Sequence, residues 1–472
     1  MSTIAVVGGG ISGLAAAYRL RRLLGAGARI VVLEAADRPG GKLRTGSLGG
    51  VRYDVGAEAF LNRRPEAVAL LREVGLGDQL VHPSGARSTV RAGGARRPIP
   101  GRTVMGVPAE ASVVRELLSE EGLAAVEAER RLPPLRLDGR DAGLGGLLRA
   151  RFGAELVDRL VDPLLGGVYA GGVDGLGLRA TLPALASAVD AGATSLTEAA
   201  GVSLPSAEFV DSTPVFGTLR GGLGVLVDRL VELSSVELRL GCPVRSLARR
   251  ERGWRLGGDV PLDADGVVLA VPAPAARRLL SDVVPVASAA YAEVEVASVA
   301  VVGLALPPGT ELPPASGVLI AAGERHADGT PFAAKAFTFS ARKWPHLDAA
   351  GPVLVRGSVG RHNEPGALRA TDAELVHLIR SDLAELTGIT APPVDSVVVR
   401  WGGGLPQYGV DHLDRVAAIE RSVAAVPGLA VAGAVLHGVG IPACIATADR
   451  AAAKIAADLG SAGSAGSARD VG

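Results

Sequence analysis

Cysteine, lysine and aromatic side chains are scarce in this chain of 472 residues. Cys242 and Cys444 are the only two cysteines, which excludes a disulfide framework and suits a reducing compartment. Cys and His never stand at metal-ligand spacing, so no metal is expected. Lysine occurs only at Lys42, Lys335, Lys343 and Lys454. Every other basic residue is arginine, a skew that reads as GC-rich coding. Net charge is also missing: 49 basic residues balance 49 acidic ones, so the basic field that drives nucleic-acid binding is not there. The start runs from Met1-Ser2-Thr3 straight into Ile4-Ala5-Val6-Val7, without a basic n-region or a small-residue cleavage motif. No secretory signal is expected, and a cytoplasmic location is.

Apolar residues make up 48% of the chain, enough for a large core, and the length suggests about three domain-sized units. Residues 422–448 carry no charge and are long enough to cross a bilayer, but Pro427, Gly428, Gly433, Gly438, Gly440 and Pro442 interrupt them. They read as strand, glycine-rich turn and helix within a globular domain.

The chain opens as a βαβ unit. Residues 4–7 form a buried parallel strand, 8–13 a turn, 14–24 a helix, and 29–34 a second strand that ends in an acid. Residues 51–60 are extended as far as Gly56, and 65–76 are helical behind Pro65. Between 99 and 199 the pattern is helical, clearest at 111–119, 123–129, 144–152 and 154–160. Residues 215–233 are a loop feeding an amphipathic helix. Strands follow at 236–240, 244–248, 267–271, 294–306 and 353–359. Thr371 and Glu374 match a capping box at the head of a helix over 371–387, and 416–425 is a further helix. A last helix over 445–459 is expected to end at Gly460, before a flexible tail at 460–472.

Gly8, Gly10 and Gly13 form a G-x-G-x-x-G string between that first strand and helix. The first glycine permits the tight turn, the second lets a pyrophosphate approach the backbone, and the third lets helix and strand pack closely. Glu34 ends the second strand 21 residues after Gly13, where an acid accepts hydrogen bonds from ribose hydroxyls. Together these predict dinucleotide binding.

The residues after Glu34, from Ala35 to Gly40-Gly41-Lys42-Leu43-Arg44-Thr45, resemble the second glycine motif of the amine-oxidase-like FAD superfamily, with Lys42 where arginine is usual. The end of the chain, LAVAGAVLHGVGIPACI, is similar to that of the porphyrinogen oxidases of haem synthesis. Four further strings resemble the same family in the same order: VRYDVGAEAFL at 51–61, DPLLGGVYAG at 162–171, FGTLRGGLGVL at 216–226, and Arg400-Trp401 followed by LPQY at 405–408.

The resemblance implies an α/β fold with a Rossmann-type FAD-binding domain from 1–72, 217–280 and 418–472. A mixed-sheet substrate domain would come from 73–98, 200–216 and 281–417. A helical subdomain over 99–199, which in the family can touch membranes, would cover the pocket. FAD would be held by Gly8, Gly9, Gly10, Ile11, Ser12 and Gly13, by Glu34 and Ala35, and by Lys42. Gly56, Ala57, Glu58 and Ala59 would face the flavin, Val244 the adenine, and Trp401, Ile441, Pro442 and Ala443 the isoalloxazine. Trp401 also reads as a plain core aromatic, and Lys42 and Arg44 as surface cations.

The implied reaction is the six-electron oxidation of coproporphyrinogen III to coproporphyrin III, with O₂ as acceptor and three H₂O₂ formed. Its product would be handed to a ferrochelatase. No strong general base stands out. Glu58 is the acidic candidate for catalysis, against the reading of a carboxylate paired with an arginine. Gly167 would let a tetrapyrrole pack against backbone, or simply serve a turn. His437 reads as a core histidine and Cys444 as an inert buried thiol. Substrate carboxylates need cations; Arg87, Arg91, Arg96, Arg97, Lys335, Arg342, Arg356 and Arg361 fall in the substrate domain, and the sequence singles out none. Protoporphyrinogen IX oxidation, an FAD amine oxidase and a non-catalytic flavin-binding protein remain alternatives. Leu436-His437, where an aromatic is expected, counts against the amine oxidase. Oligomeric state is left open.

Overall fold

The structure is a computed structural model and describes residues 2–205, 213–347, 351–364 and 366–467. Two large sheets organise it. The first has five parallel strands, in the order Glu237–Arg239, Arg29–Leu33, Thr3–Val7, Gly266–Leu269 and Leu429–Val431. Its central strands are short β-branched runs buried on both faces, as parallel strands between helices must be. One face packs on the helices Ile11–Leu24, Gly224–Ser234 and Ile441–Ser467. The other packs on Ala273–Leu280, Pro285–Ala292 and His412–Ala424.

The second sheet has seven strands: Asp395–Pro406, Val296–Leu306, Val353–Val359, Ala334–Thr338, Gly317–Ile320, Ser88–Ala92 and Ala95–Pro98. All neighbours are antiparallel except the pair Gly317–Ile320 and Ser88–Ala92. The capped helix Asp372–Thr387 covers one face, where a Cβ on Gly357 would sit 2.7 Å from Ile379. The opposite face looks toward the parallel-sheet half and toward a layer of short helices. Buried Glu129 knits that layer together. It pairs with Arg151 at 2.8 Å and accepts the backbone N–H groups of Leu196 and Thr197.

Several elements differ from the sequence expectation. Residues 111–119 hold only a single 3-10 turn, Ala111–Val114, because Ser119 does not end a helix but caps the next one, Glu120–Ala128, accepting from the Gly122 N–H. Residues 154–160 are three α-helical residues, Ala154–Leu156, followed by a π-turn, Val157–Val161. Pro163 lacks an N–H, so a regular i to i−4 ladder cannot continue into Asp162–Tyr169. The stretch expected to be extended as far as Gly56 is a strand only over Val51–Asp54 and bends at Val55 and Gly56. Val51–Asp54 folds back on Thr45–Leu48 around Gly49 and Gly50, both at positive φ.

The last helix starts four residues earlier than expected, at Ile441, because Pro442 is tolerated in a first turn. It also runs through Gly460 to Ser467, carried by an alanine-rich sequence. The rest of the expected tail, 468–472, and residues 206–212 of the expected substrate domain lie outside the described residues. No described helix is long and apolar enough to cross a membrane.

Candidate functional site

The glycine string folds as a turn that other side chains would destroy. A Cβ on Gly13 would stand 1.8 Å from the Gly8 carbonyl oxygen, and one on Gly8 2.4 Å from that of Ala270. Gly10 caps the first helix without a side-chain acceptor, and no acid sits in that helix's first turn. The unpaired N–H groups and the dipole there suit an anion. Beside them, Glu34 accepts the Gly9 N–H at 2.6 Å and the Ala36 N–H at 2.8 Å, which fixes the carboxylate at the strand end. The Cys242 N–H donates to the Glu34 carbonyl, so the strand opening at Val244 lies alongside. Val244 packs in the same cluster as Val7 and Leu33.

The second glycine motif docks on the first. Gly40 N–H donates to the Gly9 carbonyl at 2.7 Å, and Gly41 comes so close that its Cβ would be 3.1 Å from the Gly10 Cα. Lys42 follows. Its ammonium has no hydrogen bond or ion pair among the described residues, and burial pushes its pKa down. Its charge reaches Cys444, whose thiol burial pushes up despite a hydrogen bond with Ser12. Arg44 is exposed.

The Lys42 carbonyl accepts the Ala57 N–H at 2.9 Å, and a Cβ on Gly56 would meet that same carbonyl at 1.9 Å. Above Gly56 stands Trp401, half-buried, its Nε1–H donating to the Val55 carbonyl at 3.1 Å. Ile441, Pro442 and Ala443 are buried at the head of the last helix, again with no acid in the first turn. The remote glycine-bearing segments therefore form one continuous cradle.

That cradle fits a flavin dinucleotide on its own chemistry. It offers two open helix N-termini, a fixed acid and an unpartnered half-buried ammonium.

Glu58 points elsewhere. It lies 2.5 Å from Lys343 Nζ and 3.8 Å from the Arg356 guanidinium, and lines a pocket with Tyr53, Asp54, Ser340 and Trp344. Burial opposes its charge, but the two cations hold its carboxyl below the usual range. His437 is exposed rather than in the core. It pairs with Glu420 at 2.7 Å because the turn before the last helix faces outward there. The core histidine is His412, missed by the sequence reading. It stacks on Tyr408 at 4.0 Å, faces the Val435 carbonyl, and is pushed down to about 4 by burial.

Gly167 lies within the Asp162–Tyr169 helix, not in a turn. It is exposed, and its missing Cβ would be 3.6 Å from Leu319. Tyr408 ties the Asp162–Tyr169 helix to the glycine turn. Its hydroxyl donates to the Ala434 carbonyl, and its ring lies 5.4 Å from that of Tyr169. Lys343 was also missed; its signal was its rarity, as one of four lysines in an arginine-rich chain.

Residues 11–456 match the family model described as flavin containing amine oxidoreductase. The chain belongs to this family. Within this flavoprotein family its curated relatives include the coproporphyrinogen III oxidase of Mycobacterium tuberculosis strain H37Rv. That protein is 44% identical over 453 residues, covering 95% of this chain and 96% of the relative. The coproporphyrinogen III oxidase of Bacillus subtilis strain 168 is 31% identical over 94% of this chain and 95% of its own. A crystal structure from Exiguobacterium sp. 255-15, provisionally named a protoporphyrinogen oxidase, has a TM-score of 0.85 and 31% identity over 97% of this chain and 99% of that one. Putrescine oxidase, at 18% identity and a TM-score of 0.67, shares the fold. The chain is thus a member of the porphyrinogen-oxidase group of FAD-dependent oxidoreductases, an enzyme with a Rossmann-type α/β architecture, as its motifs implied.

Proposed function

We propose that this flavoenzyme oxidises coproporphyrinogen III to coproporphyrin III, passing six hydrogens to three O₂ and releasing three H₂O₂. The observation that carries this reading is the extent of the 44% relation, which covers 95% of the chain. It includes the seven-stranded sheet and the helical layer as well as the cofactor cradle, whereas the likeness to putrescine oxidase is one of fold. Leu436-His437 stands where an amine oxidase is expected to carry an aromatic, and His437 turns outward to Glu420, which counts against an amine.

Bound FAD supplies a two-electron hydride acceptor to such chemistry. In this reading the first-helix N–H groups hold its pyrophosphate, Glu34 its ribose, Val244 backs the adenine, and Lys42 supplies the nearby cation. Gly56 and Trp401 would contact the flavin, and the head of the last helix, through Ile441, Pro442 and Ala443, would offer it a positive dipole end. Gly167 keeps a flat wall for the macrocycle. Glu58, held ionised by Lys343 and Arg356, is a weak proton acceptor, and we give it the role of anchoring those two cations. Aromatisation drives the reaction, so positioning is the protein's main task. The proposal places the enzyme in the cytoplasm, with its product passed to a ferrochelatase.

Anaerobic mixing of the holoprotein with coproporphyrinogen III, protoporphyrinogen IX and simple amines tests this. Rapid flavin bleaching with coproporphyrinogen III is expected. Bleaching by an amine alone overturns the reading, and faster bleaching by protoporphyrinogen IX reassigns the substrate.

A further inference from the structure

Three cations gather on the seven-stranded sheet where it meets the Asp162–Tyr169 helix. Lys335 is 7% exposed, and a register shift between Ala334 and Ala336 takes it out of regular pairing with the neighbouring strand. Among the described residues its ammonium has one partner, the Gly166 carbonyl at 3.2 Å, and no carboxylate. Arg361 closes on the same glycine: it donates to the Ile320 carbonyl at 2.9 Å, and a Cβ on Gly166 would be 3.7 Å from its guanidinium. Arg356 donates to the Gly56 carbonyl at 2.6 Å, which joins the cluster to the flavin-side loop.

Burial pushes the Lys335 ammonium down to about 7, with Arg361 and Arg356 adding repulsion. The acids nearby are already engaged. Glu58 is taken by Lys343 and Arg356, and Asp162 accepts the Val173 N–H while facing Arg361. A buried ammonium among like charges is costly unless a counter-ion arrives. Gly167, one residue on from Gly166, is exposed, so the carbonyl that Lys335 holds lies next to the surface.

We propose that Lys335, backed by Arg361, is the subsite that receives one carboxylate arm of the substrate. This rests on the porphyrinogen reading above. Lysine suits the position because a compact ammonium can shed its charge in the empty site and regain it when a carboxylate arrives, which arginine cannot do. Substrate binding then takes up a proton above neutral pH.

The test uses the FAD-loaded protein, coproporphyrin III with its four carboxylates, and the uncharged tetramethyl ester. For K335Q the dissociation constant of the acid should rise by about tenfold or more, as should KM for coproporphyrinogen III, while ester binding is unchanged. K335R should restore acid binding. In the parent protein acid affinity should fall between pH 7 and 9, by up to about tenfold per pH unit, and in K335R it should stay flat. The parent's pH profile decides the matter even if K335Q fails to fold. Equal losses for acid and ester, or a flat parent profile, overturn the subsite. A parent that oxidises coproporphyrinogen III with KM unchanged in K335Q overturns the subsite and keeps the reaction. A parent that binds coproporphyrin III in the Lys335-dependent way but does not oxidise the porphyrinogen keeps the subsite and overturns the reaction.

Discussion

Alanine at Gly10 and at Gly13 should separate two uses of the same loop. At Gly13 the new methyl would lie 1.8 Å from a backbone oxygen, so strand and helix must part by more than an ångström. Neither partner is a side chain that can rotate away. The cost should sit at the upper end of core overpacking, about 3 kcal/mol. At Gly10 the nearest atom to the new methyl is the Gly41 Cα at 4.0 Å, and the backbone is extended, so the cofactor-free fold should lose less than about 1 kcal/mol. That methyl would fill the space in front of the first-helix N–H groups. Losing a charge-assisted hydrogen bond there is worth about 1.5–3 kcal/mol, or roughly 10- to 150-fold in FAD affinity. Melting of cofactor-stripped protein and FAD titration by flavin fluorescence read the two effects separately. G13A should lose both stability and cofactor, and G10A the cofactor alone. The reasoning fails if G10A melts as low as G13A, or if G10A binds FAD like the parent.

Other outcomes follow from the same geometry. E58Q strands Lys343 and Arg356 and should cost about 2–3 kcal/mol in thermal melts, below the range for wholly buried pairs because these groups are 15–18% exposed. An unchanged melt with loss of the acidic limb of the kcat profile would instead make Glu58 a general base. His412 is held near 4, below its ordinary value of 6.5, so the folded state binds fewer protons than the unfolded one. Stability should be full above pH 6.5 and fall by about 3 kcal/mol as pH drops through 4, and H412Q should flatten that slope in denaturant titrations. E129Q, which breaks the buried pair with Arg151, should destabilise the helical layer by about 3–5 kcal/mol, seen as earlier proteolysis at 99–199. H437A, an exposed pair, should shift melting by less than about 1 kcal/mol and leave the flavin spectrum alone.

The cofactor half of the molecule was largely legible in the sequence, because a phosphate loop needs glycines at fixed spacing and its parallel strands are unbroken apolar runs. The half built on the seven-stranded sheet was less so. Its short strands Gly317–Ile320 and Ala334–Thr338 gain their identity from neighbours across the sheet, and no local period marks them. The helical region misled where a proline or a cap shifted a boundary, as at Ser119 and Pro163. Among the cations, spacing alone did not separate surface from cleft. Composition held a clue: arginine is the default base here, and three of the four lysines, Lys42, Lys335 and Lys343, are buried or half-buried beside the Gly56–Glu58 loop or the Asp162–Tyr169 helix. Lys454 instead closes an ordinary helical pair with Asp458.

The strand order of the parallel sheet also bears on how the protein is made. Strand Thr3–Val7 leaves the ribosome first, yet its neighbour's outer partner, Leu429–Val431, and the helix from Ile441 emerge last. At about 5–20 residues per second, roughly 20–90 s separate the two halves of one prosthetic-group cradle. During that interval the nascent chain carries an unfinished sheet with apolar faces bare, and the cradle is complete only once the last strand and helix have emerged.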